Sequence, residues 1–446
     1  MDLAAFHLLS ATEAARLIRD GILSSEQLVD ACLARIREVD PQVEAWVFLD
    51  PDHALAQARA ADTLRLSGQP IGALHGVPVA IKDIFDTADM PTECGSVIYA
   101  GRTPSRDATV VAKLRAAGAV IIGKTVTTEF AYFFPGKTRN PHNPEHTPGG
   151  SSSGSAAAVG ANMVPLAIGS QTNGSTIRPA AYCGVVGFKP THGLISRHRA
   201  FALSRTLDHV GLFARSVDDI ALLTEQLTGY DENDPDTQPR ARIPFRAVAA
   251  EEPPLAPMFG FIKTPIWERA DDDTKQGFAE IVEQLGGQVE EVELFPSAQQ
   301  AWEWHQTIMS TEMAVNLERE WDKGRDRLSE QLRTQLERGR QVRAVDYQRA
   351  LRQIPPVYAV FTELFAQRYD AILTPAAPSA APKGLDATGD PSCCTLWTLF
   401  GMPCVTLPLL ENTNGLPIGV QLVGPRGGDA RLLRTARWLA AQMARS

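Results

Sequence analysis

The sequence predicts an α/β fold, and three observations carry that expectation. After His75, short apolar runs with strand texture alternate with helical ones, at 77–81, 108–117 and 119–122. Strand texture then returns late, at Ala371–Pro375, Cys404–Leu409 and Ile418–Val423, so sheet-like segments bracket a long helical stretch. Finally, 446 residues that are 44% hydrophobic and 21% charged can bury one large core or two modest ones.

The elements follow in order. Three amphipathic helices come first: Ser10-x-x-Glu13 and Ser24-x-x-Gln27 are capping boxes, and Asp50-Pro51 offers an N-cap with proline at the first helical position. Gly21, Pro41 and Gly68 end or follow them. The sheet is expected to start after His75. A polar, proline-rich stretch from Tyr230 to Pro254 reads as a surface connection. A mostly helical insert follows, densest from about Asp273 to Arg352, and it carries Trp302, Trp304 and Trp321. Asp429 to Ala444 closes the chain as a helix. Because sheet-like segments flank the insert, one composite domain is expected over 1–446: N-terminal helices in 1–70, a catalytic core in 71–230, a variable insert in 255–365 and the rest of the core in 366–446.

Charge and composition exclude several classes of function. Against 43 basic residues stand 52 acidic ones, and a net charge of -9 repels nucleic acid and anionic lipid alike. Arg333, Arg338, Arg340 and Arg343 alternate with Glu330 and Glu337 at helical spacing, the pattern of a solvated helix face. No apolar run approaches the roughly 20 residues that cross a bilayer, and the opening residues lack a basic leader, so the cytoplasm is the expected compartment. Six scattered cysteines read as buried small hydrophobes without a catalytic role.

Three motifs match patterns whose structural context is missing. Gly118 to Thr125 satisfies the Walker A pattern, but its middle residues are apolar and mostly β-branched, the texture of a strand, with Gly118 ending the preceding helix. His142-Asn143-Pro144-Glu145-His146 fits H-x-x-E-H, yet Pro144 opposes the helix that a zinc site of that kind needs. Gly150-Ser151-Ser152-Ser153-Gly154 fits G-x-S-x-G with Ser152 as nucleophile, although 144–149 cannot form the strand that must precede it. This weaker reading would need a histidine such as His305.

Two Gly/Ser stretches, 149–155 and 169–175, crowd hydroxyls where backbone N–H groups can be laid bare. Lys82 ends an apolar run in which desolvation favours a neutral amine. An unperturbed lysine is neutral at pH 7 in about one molecule in 2,500, so holding it deprotonated requires on the order of 4–5 kcal/mol. Together these features suggest a serine–serine–lysine hydrolase.

The residues that carry these stretches resemble the amidase signature family. The likeness runs through Gly149-Gly150-Ser151-Ser152-x-Gly154-Ser155, Gly174-Ser175, the segment Pro179 to Thr191, Gly76-Val77-Pro78-x-x-Ile81-Lys82-Asp83, Tyr369-Asp370-x-x-x-Thr374-Pro375 and Leu416 to Gly424. It covers most of the chain, least of all 273–352. The resemblance implies a central mixed, twisted β-sheet covered by helices on both faces. It also implies Lys82 as base, Ser151 as a bridging serine after a cis peptide bond, and Ser175 as nucleophile. The oxyanion hole would be backbone N–H from Thr172, Asn173, Gly174 and Ser175, and no metal or organic cofactor would be needed.

The chain departs from the family at Gln171, usually aspartate, at Asn173, usually glycine, and at Ile177, usually arginine. Arg178 stands one residue later. This variant resembles the malonamidase branch, in which the corresponding arginine holds a substrate carboxylate. It also argues against the amidotransferase subunit that feeds ammonia to aminoacyl-tRNA. Phe130, Tyr132, Phe133 and Phe134 suggest an apolar pocket wall to which Trp397, Leu399 and Phe400 would add. The expected substrate is a small apolar or aryl amide, with esters and carbamates (urethanes) as further substrates; a malonamate-like acid on Arg178 is the alternative. An ammonia-supplying protein that works only with a partner is the alternative from another class. Whether the Trp-bearing insert gates the pocket or builds a homodimer stays open.

Overall fold

A computed structural model of the chain describes residues 3–444. The first helices are α1 (Ala11–Arg19), α2 (Ser25–Val43) and α3 (Pro51–Leu66), capped by the Ser10, Ser24 and Asp50 side chains as their sequences require. Pro41 does not end α2: it lies in the last turn, and the helix stops at Glu44 in the left-handed region (φ 53).

Eleven strands form one sheet. They are β1 (Trp46–Leu49), β2 (Pro78–Lys82), β3 (Val120–Thr125), β4 (Leu166–Gln171), β5 (Val186–Lys189), β6 (His209–Ala214), β7 (Phe259–Ile262), β8 (Val289–Val292), β9 (Ala371–Pro375), β10 (Cys404–Glu411) and β11 (Pro417–Val423), in the order β1-β3-β2-β4-β6-β5-β10-β11-β9-β7-β8. Parallel pairs (β2 with β3 and β4; β7 with β8 and β9) and antiparallel pairs alternate in blocks, so the sheet is mixed. The insert is therefore more than helical, because it contributes β7 and β8 to one edge. These strands are four residues each, too short to stand out against the surrounding helical periodicity.

The period of two sorts side chains into two cores. Val79 and Ile81 of β2, Ile121 of β3, and Leu166 and Ile168 of β4 join one core; Ala80, Val120, Ile122 and Ala167 join the other. On the first face lie α4 (Thr109–Ala116), α7 (Val217–Leu227) and α15 (Asp429–Met443). On the second lie α2 and α5 (Ser153–Gly160). The remaining helices are α6 (Ile177–Tyr182), α8 (Phe245–Ala250), α9 (Asp272–Leu285), α10 (Ala301–Asn316), α11 (Glu318–Gly324), α12 (Glu330–Gln341), α13 (Ala344–Gln367) and α14 (Ser392–Leu399). Helix α8 falls inside the stretch expected to be only a surface connection. Among the described residues no helix is long and apolar enough to cross a membrane.

The Walker A look-alike is strand β3, with Gly118 at φ 84 closing α4. Lys124 is fully buried there and donates to the carbonyls of Phe85 and Pro91 and to Thr92 Oγ1, with Asp83 Oδ1 at 3.1 Å. A lysine so engaged cannot serve a phosphate. Lys124→Met should lower the unfolding free energy by about 3–5 kcal/mol, because it leaves the buried Asp83 carboxylate uncompensated. Urea denaturation measures this, and a loss below about 1 kcal/mol would mean that Asp83 is relieved by other groups.

Candidate active site

Strands β2 and β4 are parallel neighbours with Ile81 opposite Ile168, so both end at the same edge of the sheet. Open α/β sheets form crevices at such carboxyl ends. Lys82 is the last residue of β2 and is fully buried. Its Nζ lies 2.7 Å from Ser151 Oγ and 2.8 Å from Ser170 Oγ. Among the described residues no carboxylate forms an ion pair with it. Burial pushes the Lys82 pKa well below the ordinary lysine range, and the more distant Asp208 charge offsets this only in part. Between two hydroxyls, an amine in its neutral form can donate an N–H to Ser170 and offer its lone pair to Ser151.

Ser151 comes from the loop before α5, after a cis bond from Gly150. That loop is fastened on two sides. Arg178 Nη2 donates to the Gly150 carbonyl (2.7 Å) and to Thr388 Oγ1 (3.0 Å), and a Cβ at Gly150 would meet Thr388 Cγ2 at 2.8 Å. Ser152 Oγ donates to the Ser170 carbonyl (3.1 Å) and accepts from the Ser170 N–H (3.2 Å). Ser152 is fully buried and spent on this clasp, which corrects the G-x-S-x-G reading. His142 and His146 sit in a loop, each bound to a backbone carbonyl, and not on a helix face.

From Gln171 the chain leaves β4 and turns into α6. Gln171 Oε1 accepts the N–H groups of Thr176 (2.9 Å) and Ile177 (3.0 Å), two of the donors that a helix start leaves unpaired, and its Nε2 donates to Thr398 Oγ1 (2.9 Å). Thus the amide that stands where an aspartate was expected still anchors the loop. Thr172 Oγ1 donates to the half-buried Asp208 (2.6 Å), whose own pKa desolvation raises. Among the described residues no acceptor takes the backbone N–H of Thr172, Asn173, Gly174 or Ser175. Four successive N–H groups at the end of β4 are thus left without a protein acceptor. Ser175 is half-buried, and among the described residues no hydrogen bond joins it to Ser151.

Two cavities lie nearby, one lined by Ser170 and Thr172 and the other by Thr388. One, of about 250 Å³, is mainly apolar, with Phe85, Ala131, Phe201 and Leu203 around Ser170 and Thr172. The other, of about 600 Å³, lies between Tyr132, Phe133 and Phe134 on one side and Thr388 and the α12 residue Arg338 on the other. Phe130 lines neither. It is fully buried, stacks on Phe201 at 4.9 Å and meets Tyr99 edge-on at 5.4 Å, so it packs behind the wall instead of forming it. Trp397 and Phe400 likewise belong to the core against Phe361, and Leu399 faces a different cavity, beside His192 and Arg426. Their apolar character predicted burial but not which surface they would cover. Arg178 is 1% exposed, with its guanidinium 5.8 Å from the Phe133 ring, and its Nε and Nη1 have no protein partner.

Thr388, Thr398 and Asp208 escaped the sequence reading, whereas His305 entered it only as the histidine of the G-x-S-x-G alternative and Ser170 only as a member of the 169–175 stretch. Ser170 lies near the end of β4, whose pairing with β2 brings it to Lys82, and the sequence reading expected no strand there.

Known proteins resemble this chain along its whole length. Residues 27–433 match the family model described as Amidase. The chain is 36% identical to a glutamyl-tRNA(Gln) amidotransferase subunit from Symbiobacterium thermophilum over 96% of each protein. Among solved structures, it matches a chain of a vestigial complex that bears on the evolutionary origins of an s-triazine catabolic enzyme, with a TM-score of 0.90 and 28% identity over 97% of this chain and 98% of that one. It also matches a 6-aminohexanoate cyclic dimer hydrolase in complex with substrate, with a TM-score of 0.85 and 27% identity over 99% and 98%.

The depressed Lys82 pKa has a thermodynamic signature. The unfolded chain binds this proton up to about pH 10.4 while the folded chain has already released it, so stability attributable to Lys82 rises with pH between the two values. The slope limit is about 1.4 kcal/mol per pH unit. Lys82→Met should remove that rise, so that urea stability from pH 7 to pH 10 climbs less steeply than in the wild type. Parallel curves would show that Lys82 keeps its proton in the folded protein.

Proposed function

Because the chain belongs to the amidase family, whose members act on amide C–N bonds, we propose that it hydrolyses small apolar or aryl amides through an acyl-enzyme on Ser175. The observation that carries this reading is the mainly apolar cavity lined by Ser170, whose hydroxyl is hydrogen-bonded to the Lys82 amine that also holds Ser151, with an aromatic-walled cavity at Thr388 on the Arg178 side of the Ser151 loop. Neutral Lys82 takes the proton of Ser151, Ser151 takes that of Ser175, and Ser175 Oγ bonds to the amide carbon. The carbonyl electrons move onto the oxygen, where the N–H groups of the 172–175 loop receive them. As the C–N bond breaks, the relay runs backwards and delivers the proton to the departing nitrogen. Water then repeats the attack and frees the acid. Esters and carbamates enter the same sequence with a different leaving group.

A specific feature favours a second reading. The Arg178 guanidinium is buried with two unpartnered N–H-bearing nitrogens, and a substrate carboxylate would answer them. Against it, Nη2 already holds Gly150 and Thr388. The likeness to an amidotransferase component motivates a third reading, in which the chain works only within a complex.

Ser175→Ala should reduce turnover by at least about 10³-fold, and a fluorophosphonate should label Ser175 in the wild type. The purified chain alone should prefer anilides over malonamate-like acids and over glutamine. Preference for the acids would transfer the function to Arg178, and activity on glutamine only with added partner proteins would support the third reading. Arg178→Met separates the first two in another way. As a clamp it lowers kcat for every substrate, whereas as a carboxylate ligand it raises KM for acids alone.

A further inference from the structure

Two helices that bring nothing to the serine–lysine cluster hold the backbone of the loop before Ser175. His305 of α10, 1% exposed, donates from Nε2 to the Thr172 carbonyl (2.9 Å), and Thr398 of α14 donates from Oγ1 to the Asn173 carbonyl (2.6 Å). We propose that His305, together with Thr398, is a positioning residue that aims the N–H groups of Asn173 and Gly174 at the substrate's carbonyl oxygen; this rests on the reading of 172–175 as the oxyanion hole.

The geometry is that of the peptide plane. In a trans peptide the C=O of one residue and the N–H of the next point in opposite directions, and Gly150–Ser151 is the one cis bond among the described residues. Drawing the Thr172 carbonyl toward α10 therefore turns the Asn173 N–H away from α10, and drawing the Asn173 carbonyl toward α14 does the same for the Gly174 N–H. Both N–H groups are the bare ones. A hydrogen bond accepted by a peptide carbonyl also polarises that peptide, which strengthens its N–H as a donor. Thr395 Oγ1 adds a third tie, to Asn173 Oδ1 (2.7 Å), which stops the one loop residue with a long side chain from swinging in.

His305 is suited to this and not to proton transfer. Burial lowers its pKa to about 4, so it is neutral at pH 7, and the nitrogen facing the loop must carry the hydrogen because a carbonyl can only accept. An Nε2 spent as a donor has no lone pair for a serine hydroxyl. Helix α10 belongs to the insert and packs on α12 and α14, so the insert would bear on catalysis without touching the reacting atoms.

Steady-state kinetics on an anilide decide the matter. His305→Ala should lower kcat by about 30-fold, less than the 10²–10³ for outright removal of an oxyanion donor, with KM changing less than about threefold. His305→Gln, which can place an N–H near Nε2, should recover kcat to within about threefold of the wild type. Thr398→Val should lower kcat by about tenfold. If His305→Ala does not fold, the Gln and Val variants still decide. A His305→Ala kcat within about twofold of wild type, a raised KM at unchanged kcat, or a Gln variant as inactive as Ala would each overturn the proposal. Fluorophosphonate labelling separates the two levels: label absent from Ser175 in the wild type removes the underlying reading, whereas normal labelling with a normal His305→Ala kcat removes only this inference.

Discussion

A lysine amine sealed in the protein without a counter-ion is the constraint from which the rest of the site follows. The sheet supplies its own comparison. Lys82 and Lys124 lie on adjacent parallel strands, in register one residue apart, and both are fully buried. Lys124 has Asp83 at 3.1 Å and a ring of carbonyls, the surroundings of a charged ammonium held for structure. Lys82 has two serine hydroxyls and no carboxylate among the described residues paired with it. Desolvation lowers the pKa of both, but Lys124 has Asp83 in contact to oppose it, whereas at Lys82 only the more distant Asp208 charge does, so the amine is the form that fits.

Keeping that amine dry and aimed explains much of the architecture. The cis Gly150–Ser151 loop is clasped by Arg178 from α6 and by Ser152 onto β4, which brings one hydroxyl to the lysine and removes its neighbour from use. Gln171 fastens the start of α6, and α10 and α14 fasten the turn between. Of these supports the sheet and α6 lie in the core, whereas α10 comes from the insert. The insert also adds β7 and β8 to one sheet edge and, through α12, one wall of the larger cavity.

How much of this could be read beforehand divides along physical lines. The caps of α1 to α3 and the strand nature of 120–125 were legible because local pattern determines them, and the juxtaposition of Lys82 with Ser151 was legible only through the family resemblance that implied it. Strands β1, β7 and β8 were not: four-residue strands are fixed by the partners that they meet, not by their own periodicity. Pro41 failed as a helix stop because its missing N–H still allows one more half-turn. Aromatic residues were assigned to the pocket wall as a group, yet Phe130 turned inward at φ 46 and Trp397 went to the core, since hydrophobicity states that a side chain is covered but not by what. His305 and Thr398 lie 133 and 225 residues from the carbonyls that they hold, a relation no local pattern encodes.

The central claim is that Lys82 is uncharged in the resting protein, and the most direct measurement is an NMR titration of the side-chain nitrogen in protein carrying labelled lysine, with the Lys82 signal assigned by its loss in Lys82→Met. The account predicts a signal with the shift of a neutral amine at about pH 7.5, titrating well below the other lysines. A Lys82 signal that stays ammonium-like at about pH 7.5 and titrates with the surface lysines near about pH 10.4 would contradict it.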